Sequence, residues 1–112
     1  MPSLRLGIDF GTSNSAAAIL RDGRAQFIGI EPGAEMLPTA VFLDFGAQEM
    51  KIGQAANAAL IAGDEGRYMR GLKSILGTPL LHESRRMLGE TITYGDLIAR
   101  FLVRIRERAE AG

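Results

Sequence analysis

The sequence predicts an α/β fold in which a mixed sheet, opened by an antiparallel three-stranded meander, is flanked by helices. Three observations lead to this prediction. Apolar residues alternate with polar residues or glycine from Leu4 to Phe10, which is the period of a β-strand. Asp22-Gly23 is a strong signal for a two-residue turn between paired strands. An apolar stripe with helical spacing joins Leu97, Ile98, Phe101, Leu102 and Ile105.

The remaining elements follow from local signals in chain order. Strands are expected over residues 4–10, 16–20 and 25–30, and the small Ala16, Ala17 and Ala18 suit a strand with a close neighbour. A loop over 31–38 leads to a strand over 39–45 and a short strand at 51–52. Helices are predicted over 54–62, ended by Gly63, and over 67–76, ended by Gly77. Residues 80–89 carry no clear pattern.

The start of the last helix has its own signal. Thr93 and Asp96 form the pattern of a capping box, with Asp in place of the usual Glu. In this arrangement each side chain accepts a hydrogen bond from the backbone of the other residue. The sequence therefore predicts that the helix begins directly after Thr93.

Composition excludes several classes of function. The chain has 112 residues, enough for one small domain, with 13 basic and 13 acidic residues, and this balance argues against nucleic-acid binding. Cys is absent and His82 is the single histidine, so no zinc site of Cys and His is expected. His82 itself is expected at the surface, without a role. No apolar run approaches the roughly 18 residues of a membrane helix, and no signal peptide is apparent. A cytoplasmic protein with no membrane partner is expected.

The stretch Asp9-Phe10-Gly11-Thr12-Ser13-Asn14 is the main candidate for chemistry. A tight turn between two strands can direct successive backbone N–H groups at one anion, and Gly11 lets the backbone approach closely. Thr12 and Ser13 add hydroxyl donors. Asp9 would repel a phosphate unless a cation lay between them, and Mg²⁺ with its retained waters suits that position. An ordinary polar turn, with Asp9 accepting backbone hydrogen bonds, fits these residues equally well.

Three other readings of this stretch fail. A Walker P-loop requires a Gly-Lys-Ser or Gly-Lys-Thr that does not follow, and a dinucleotide fingerprint requires different glycine spacing and a helix next. Asp9-Phe10-Gly11 matches the kinase metal-binding triplet, but no catalytic-loop signature precedes it.

Four segments in order resemble the DnaK-type heat-shock chaperones of the actin-like ATPase superfamily. Gly7–Ser15 resembles their first phosphate motif, and related motifs open actin and several sugar kinases. Leu37–Phe42 resembles the family's Pro-Ser-x-Val-x-Phe strand, and Ile52–Ala56 its Val-Gly-x-x-Ala segment. Leu72–Gly77 resembles its Lys-Arg-x-x-Gly segment. Ser74 in place of the family's arginine, together with Gly95–Ile98 in the last helix, looks closer to the YegD-like branch.

The resemblance implies a ribonuclease-H-like fold and an ATPase that binds ATP or ADP with Mg²⁺. It implies that Gly11, Thr12, Ser13 and Asn14 bind phosphate and that Asp9 holds Mg²⁺ through water. Lys73 and Asp9 would be the catalytic residues, with Lys73 reaching the γ-phosphate and positioning the attacking water. Judged without the resemblance, Lys73 is an ordinary solvated lysine. Unfolded polypeptides are the implied partners of the parent protein.

The resemblance also implies that residues 1–112 are the N-terminal part of lobe I of a larger nucleotide-binding domain. The family has a second Gly-rich phosphate loop, but this chain contains no Gly-Gly pair. The isolated chain is therefore expected to have little ATPase activity, and to self-associate through an open sheet edge and the apolar stripe of its last helix. Two alternatives remain open: part of an actin-fold sugar kinase, or a non-catalytic actin-like scaffold.

Overall fold

A computed structural model describes residues 5–111; Leu4, part of the first predicted strand, lies outside that range. The described residues form nine strands, two α-helices and two 3₁₀ turns. The strands are β1 (Arg5–Phe10), β2 (Asn14–Arg21), β3 (Arg24–Ile28), β4 (Met36–Pro38), β5 (Ala40–Asp44), β6 (Glu49–Ile52), β7 (Gly66–Arg70), β8 (Ser84–Met87) and β9 (Glu90–Thr93). The helices are α1 (Gln54–Ala62) and α2 (Tyr94–Ala111), and the 3₁₀ turns span Leu72–Ile75 and Pro79–His82.

The predicted three-stranded meander is confirmed. β1, β2 and β3 pair antiparallel in that order. Asp22 and Gly23 both have positive φ, 49° and 75°, as the two-residue turn between β2 and β3 requires. The short strand β4, inside the predicted loop over 31–38, pairs with residues 14–16 of β2 and continues the line of β3.

Helix α2 covers one face of this sheet. Its stripe of Leu97, Ile98, Phe101 and Ile105 is buried, and the Phe101 ring lies 5.8 Å from the Phe10 ring of β1, centroid to centroid. The predicted capping box is present: the Thr93 N–H donates to Asp96 Oδ2 at 2.9 Å, and the Asp96 N–H donates to Thr93 Oγ1 at 3.0 Å. Most of the stripe is therefore core packing within the chain, and it does not offer the partly open surface that the expected self-association requires.

A second sheet, in the order β6-β5-β7, packs against α1. The predicted helix over 67–76 is wrong, because its first part is strand β7 and its last part a 3₁₀ turn. All five residues of β5 are buried. β5 pairs with β6 along one edge and with β7 along the other. The pairing of β7 with this buried strand outweighs the weak helical preference of residues 67–70.

Residues 80–89, which carry no clear sequence pattern, contain most of the second 3₁₀ turn, strand β8 and the turn that leads to β9. Every strand pairing among residues 5–111 is antiparallel, so the predicted mixed sheet is not found within them. A parallel pair would require the chain to return in the same direction after α1, but β7 runs opposite to β5. No helix within residues 5–111 is long and apolar enough to cross a membrane.

Glu31 links helix α1, which packs against the second sheet, to helix α2, which covers the first sheet. Its buried Oε1 accepts a hydrogen bond from the backbone N–H of Gln54, the first residue of α1, at 3.0 Å. The same oxygen lies 3.7 Å from Arg108 of α2. A single carboxylate thus fixes the start of α1 relative to the end of α2.

Candidate functional site

The Gly-rich turn joins β1 to β2 at one end of the first sheet. A side chain on Gly11 would collide with the carbonyl oxygen of Asn14, so this turn closes more tightly than any other residue would allow. Thr12, Ser13 and Asn14 are all exposed at its tip. The turn therefore presents two hydroxyls and an amide to solvent on a backbone that is held close.

Two contacts fix this turn to the strands behind it. The Ser15 and Thr39 hydroxyls are hydrogen bonded at 2.6 Å, and both residues are fully buried. The backbone N–H of Thr39 donates to the carbonyl oxygen of Ser13 at 2.9 Å. Thr39 is the residue at which the chain passes from β4 in the first sheet to β5 in the second. The turn is thereby attached to both sheets.

An open cleft of about 440 Å³ lies beside the turn. This volume is within the range of small-molecule sites. Its walls are formed by the turn, the β4–β5 junction, α1 and the end of β7. The polar residues on these walls are Thr12, Ser13, Asn14, Thr39, Asn57, Tyr68 and Arg70. No carboxylate is among the lining residues that the structure describes, so the cleft offers donors and one cation and is suited to an anion.

Lys73 lies near this cleft but does not line it. Arg70 and Gly71 are on the cleft wall, and Gly71, with φ of 68°, turns the chain into the 3₁₀ turn that carries Lys73. The Lys73 side chain is exposed. The structure therefore brings the predicted phosphate-binding turn and the segment that carries Lys73 to the same cleft, without placing the ammonium group inside it.

Asp9 occupies the face of the first sheet opposite α2. It pairs with Ala16, so Asn14, two residues earlier in β2, lies on the same face. The Asp9 side chain is exposed and does not line the cleft. Among the residues that the structure describes, no group of three His, Cys, Asp or Glu side chains could hold a metal. A lone carboxylate fits Mg²⁺ only where phosphate oxygens and waters supply most of the ligands, which is the usual mode of Mg²⁺ binding to nucleotides.

Three polar residues of the cleft carry no sequence signal. Arg70 and Tyr68 belong to β7, for which the sequence favours a helix, and Asn57 lies on α1. The Tyr68 hydroxyl donates to Asn57 Oδ1 at 2.7 Å, which ties α1 to β7 at the wall of the cleft. The pairing of β7 with β5 is what brings Arg70 here, because Arg70 lies directly opposite Ala40. A contact of this kind depends on tertiary pairing, which local patterns do not reveal.

Comparison with known proteins places these observations in a family. The sequence profile of the Hsp70 protein family matches residues 5–105. A chaperone protein HscA homolog of Pseudomonas aeruginosa is 35% identical over 91 residues, covering 81% of this chain and 14% of the relative. The homolog of Azotobacter vinelandii is 37% identical over 92 residues, covering 81% of this chain and 14% of the relative. The chaperone protein HscA of Escherichia fergusonii is 31% identical over 83 residues, covering 74% and 13%.

These relatives correct one expectation. All three carry the HscA name, so they support a chaperone of the Hsp70 type and not the YegD-like branch indicated by Ser74 and the last helix. The chain spans about 14% of the length of the relatives from Pseudomonas and Azotobacter.

Proposed function

Since this chain belongs to the Hsp70 protein family, we propose that it supplies the first phosphate-binding turn of an ATP-binding chaperone ATPase. In this proposal residues 1–112 are the N-terminal part of lobe I of an actin-like nucleotide-binding domain. Thr12, Ser13 and Asn14 hold the phosphates, together with the backbone that Gly11 brings close. The observation that carries the proposal is that the turn and the segment leading to Lys73 line the same cleft.

Each residue of the site has a distinct part in this proposal. The hydroxyls of Thr12 and Ser13 donate to phosphate oxygens, and the Ser15–Thr39 hydrogen bond keeps the turn in place while they do so. Lys73 lies on the 3₁₀ turn that follows Gly71 of the cleft wall, and in this proposal its exposed side chain extends to a phosphate bound at the cleft mouth. An ammonium group in that position offsets negative charge that develops on the transferred phosphoryl group.

Asp9 is the proposed partner of Mg²⁺. Its exposed carboxylate shares a face with Asn14, so Asp9 would hold, through water, a Mg²⁺ ion bound with nucleotide phosphates at the turn. Mg²⁺ would supply neutralisation of the phosphate charge.

The proposed partners follow from the family. The relatives described above are chaperones, which favours unfolded polypeptides as clients of the whole protein over a sugar substrate or a purely structural scaffold. A cytoplasmic location is proposed on the same basis. The cleft is open to solvent in this chain, so it excludes little water, and the 112-residue chain is expected to bind ATP weakly with little hydrolysis of its own.

An NMR titration of the ¹⁵N-labelled chain with Mg-ATP tests the proposal. The expected result is a saturable shift of the backbone amides of residues 11–14 and 70–73, with the amides of the β8–β9 hairpin unchanged. Gly11→Ala should abolish the shift at the turn, whereas Gly89→Ala, in the β8–β9 hairpin and outside the cleft lining, should leave it intact. A titration to millimolar Mg-ATP that moves none of residues 11–14 would contradict the proposed function.

A further inference from the structure

Among the residues that the structure describes, Arg70 is the one charged residue on the walls of the cleft. None of the carboxylates of residues 5–111 lines the cleft. The ion pairs among these residues use other arginines and one lysine, and none of them involves Arg70. The Arg70 side chain is exposed. Its guanidinium group is therefore available to a ligand.

The register of the second sheet sets the side of β7 on which Arg70 lies. Side chains two residues apart on a strand share a face, so Arg70 is on the same side as Tyr68. Tyr68 packs with Ala40, Phe42 and the alanines of α1, and its hydroxyl reaches Asn57. Arg70 also lies opposite Ala40, which follows Thr39, the residue bonded to the turn. Arg70 therefore lies on the strand next to β5 and lines the same cleft as Thr12 and Ser13.

The chemistry of this arrangement selects an oxyanion. A planar guanidinium group can donate two parallel hydrogen bonds to a phosphate, and hydrogen bonds between charged groups are stronger than neutral ones. The hydroxyls of Thr12 and Ser13, which also line the cleft, can donate hydrogen bonds to the same phosphate. A neutral sugar would leave the cation without a counter-ion. A phosphoryl group would pair with the guanidinium group and would also accept hydrogen bonds from the hydroxyls of the turn.

We propose that Arg70 is a phosphoryl-binding residue of this cleft, acting across it from Thr12 and Ser13. The inference rests on the proposed function and deepens it, because it adds a second cation three residues before Lys73. The phosphoryl group is either that of a bound nucleotide or free inorganic phosphate, since both present the same oxygens to the guanidinium.

Four versions of the chain test this inference: wild type, Arg70→Gln, Arg70→Lys and the control Arg86→Gln. Arg86 is an exposed arginine on β8, also outside the ion pairs of the described residues. Each protein is titrated with Mg-ATP, Mg-ADP and inorganic phosphate, and the shifts of the amides of residues 11–14 give the affinity. Amides of α2 serve as the check that each variant is folded.

Arg70→Gln should weaken binding about tenfold, as expected for the loss of one charge-assisted pair. Arg70→Lys should recover part of that loss, and Arg86→Gln should bind like wild type. If Arg70→Gln lowers the affinity only for the two nucleotides, the phosphoryl group that Arg70 binds is that of the nucleotide. A loss for inorganic phosphate, in a chain that does not bind ATP, supports Arg70 and contradicts the proposed function.

Two results would overturn the inference. If wild type binds ATP and Arg70→Gln binds it equally well, the role of Arg70 is wrong while the proposed function stands. If none of the three compounds shifts the amides of the turn in wild type, both are wrong.

Discussion

The backbone N–H of Thr39 donates to the carbonyl oxygen of Ser13 at 2.9 Å, and this contact joins the Gly-rich turn to the second sheet. Thr39 precedes β5, and β5 pairs with β7, at whose end Arg70 lines the cleft. A short path of hydrogen bonds therefore runs from one wall of the cleft to the other. The relative position of the two walls depends on packing at residues 13, 15 and 39.

Thr39→Val should destabilise the chain. Valine has the shape of threonine but leaves the buried Ser15 hydroxyl without its partner, which costs about 1–3 kcal/mol in the free energy of unfolding. Thr39→Ser keeps a hydroxyl and is the matched control. The Ser15→Ala and Thr39→Val double variant should lose less than the sum of the single variants, because no unpaired hydroxyl remains. Urea unfolding of wild type, Thr39→Val, Ser15→Ala, Thr39→Ser and the double variant measures these losses, and additive losses would show that the two hydroxyls are not coupled.

Lys73→Ala should lower hydrolysis more than it lowers ATP binding. We predict a decrease of about a hundredfold in single-turnover hydrolysis, in an Hsp70-length protein that carries this segment, because in its proposed role the ammonium group acts mainly on charge in the transition state. Ser74→Ala, at the next position of the same 3₁₀ turn, is the control and should change the rate little. An unchanged single-turnover rate in Lys73→Ala would remove this residue from the catalytic site.

Asp44 should make the stability of the second sheet depend on acid pH. The Ala47 N–H donates to Asp44 Oδ1, and Lys51 lies 2.9 Å from Oδ2; the amide first, and then the lysine, lower the pKa of Asp44. A carboxylate with a lowered pKa stabilises the fold above its unfolded pKa, and this stabilisation is lost as the pH falls through the folded value.

The stability difference between wild type and Asp44→Asn should therefore be largest near neutral pH and shrink as the pH is lowered to about 2. Glu35 is an exposed carboxylate in the loop before β4, and Glu35→Gln is the control. Denaturant unfolding across this range measures the difference, and a constant difference would show that the pKa of Asp44 is the same in both states.

The chain should self-associate through the face of the first sheet opposite α2. Leu20, Phe27 and Met36 lie on that face with exposed fractions of 46%, 55% and 50%. Within residues 5–111, β1 pairs only with β2, so its outer edge is open as well. Phe27→Ser should weaken association, whereas Leu76→Ser should not, because Leu76 is an apolar residue elsewhere that is also exposed, to 45%. Sedimentation equilibrium at micromolar concentrations that finds only monomer for wild type would refute this.

Local patterns predict those parts of the fold that depend on neighbours in the sequence. The alternation in β1, the Asp22-Gly23 turn and the capped stripe of α2 each arise from residues a few positions apart, and all three are confirmed. β7 is different, because residues 66–70 become a strand only by pairing with the buried β5.

The residues of the candidate site also fall into those that local patterns predict and those that depend on tertiary pairing. The turn at 11–14 is visible in the sequence because glycine and hydroxyl residues cluster there. Arg70, Tyr68 and Asn57 reach the cleft from β7 and α1, so their presence depends on tertiary pairing. The roles of Asp9 and Lys73 stay predictions.

The central claim is that residues 11–14 and 70–73 bind the phosphates of one nucleotide. Paramagnetic line broadening tests it most directly, with Mn²⁺ in place of Mg²⁺, since both prefer oxygen ligands. Addition of Mn-ATP to the ¹⁵N-labelled chain should broaden the amides of Asp9, of the turn and of residues 70–73, and EDTA should reverse this. Mn²⁺ without nucleotide should have a much smaller effect. Broadening of the turn without residues 70–73, or of neither, would contradict the account.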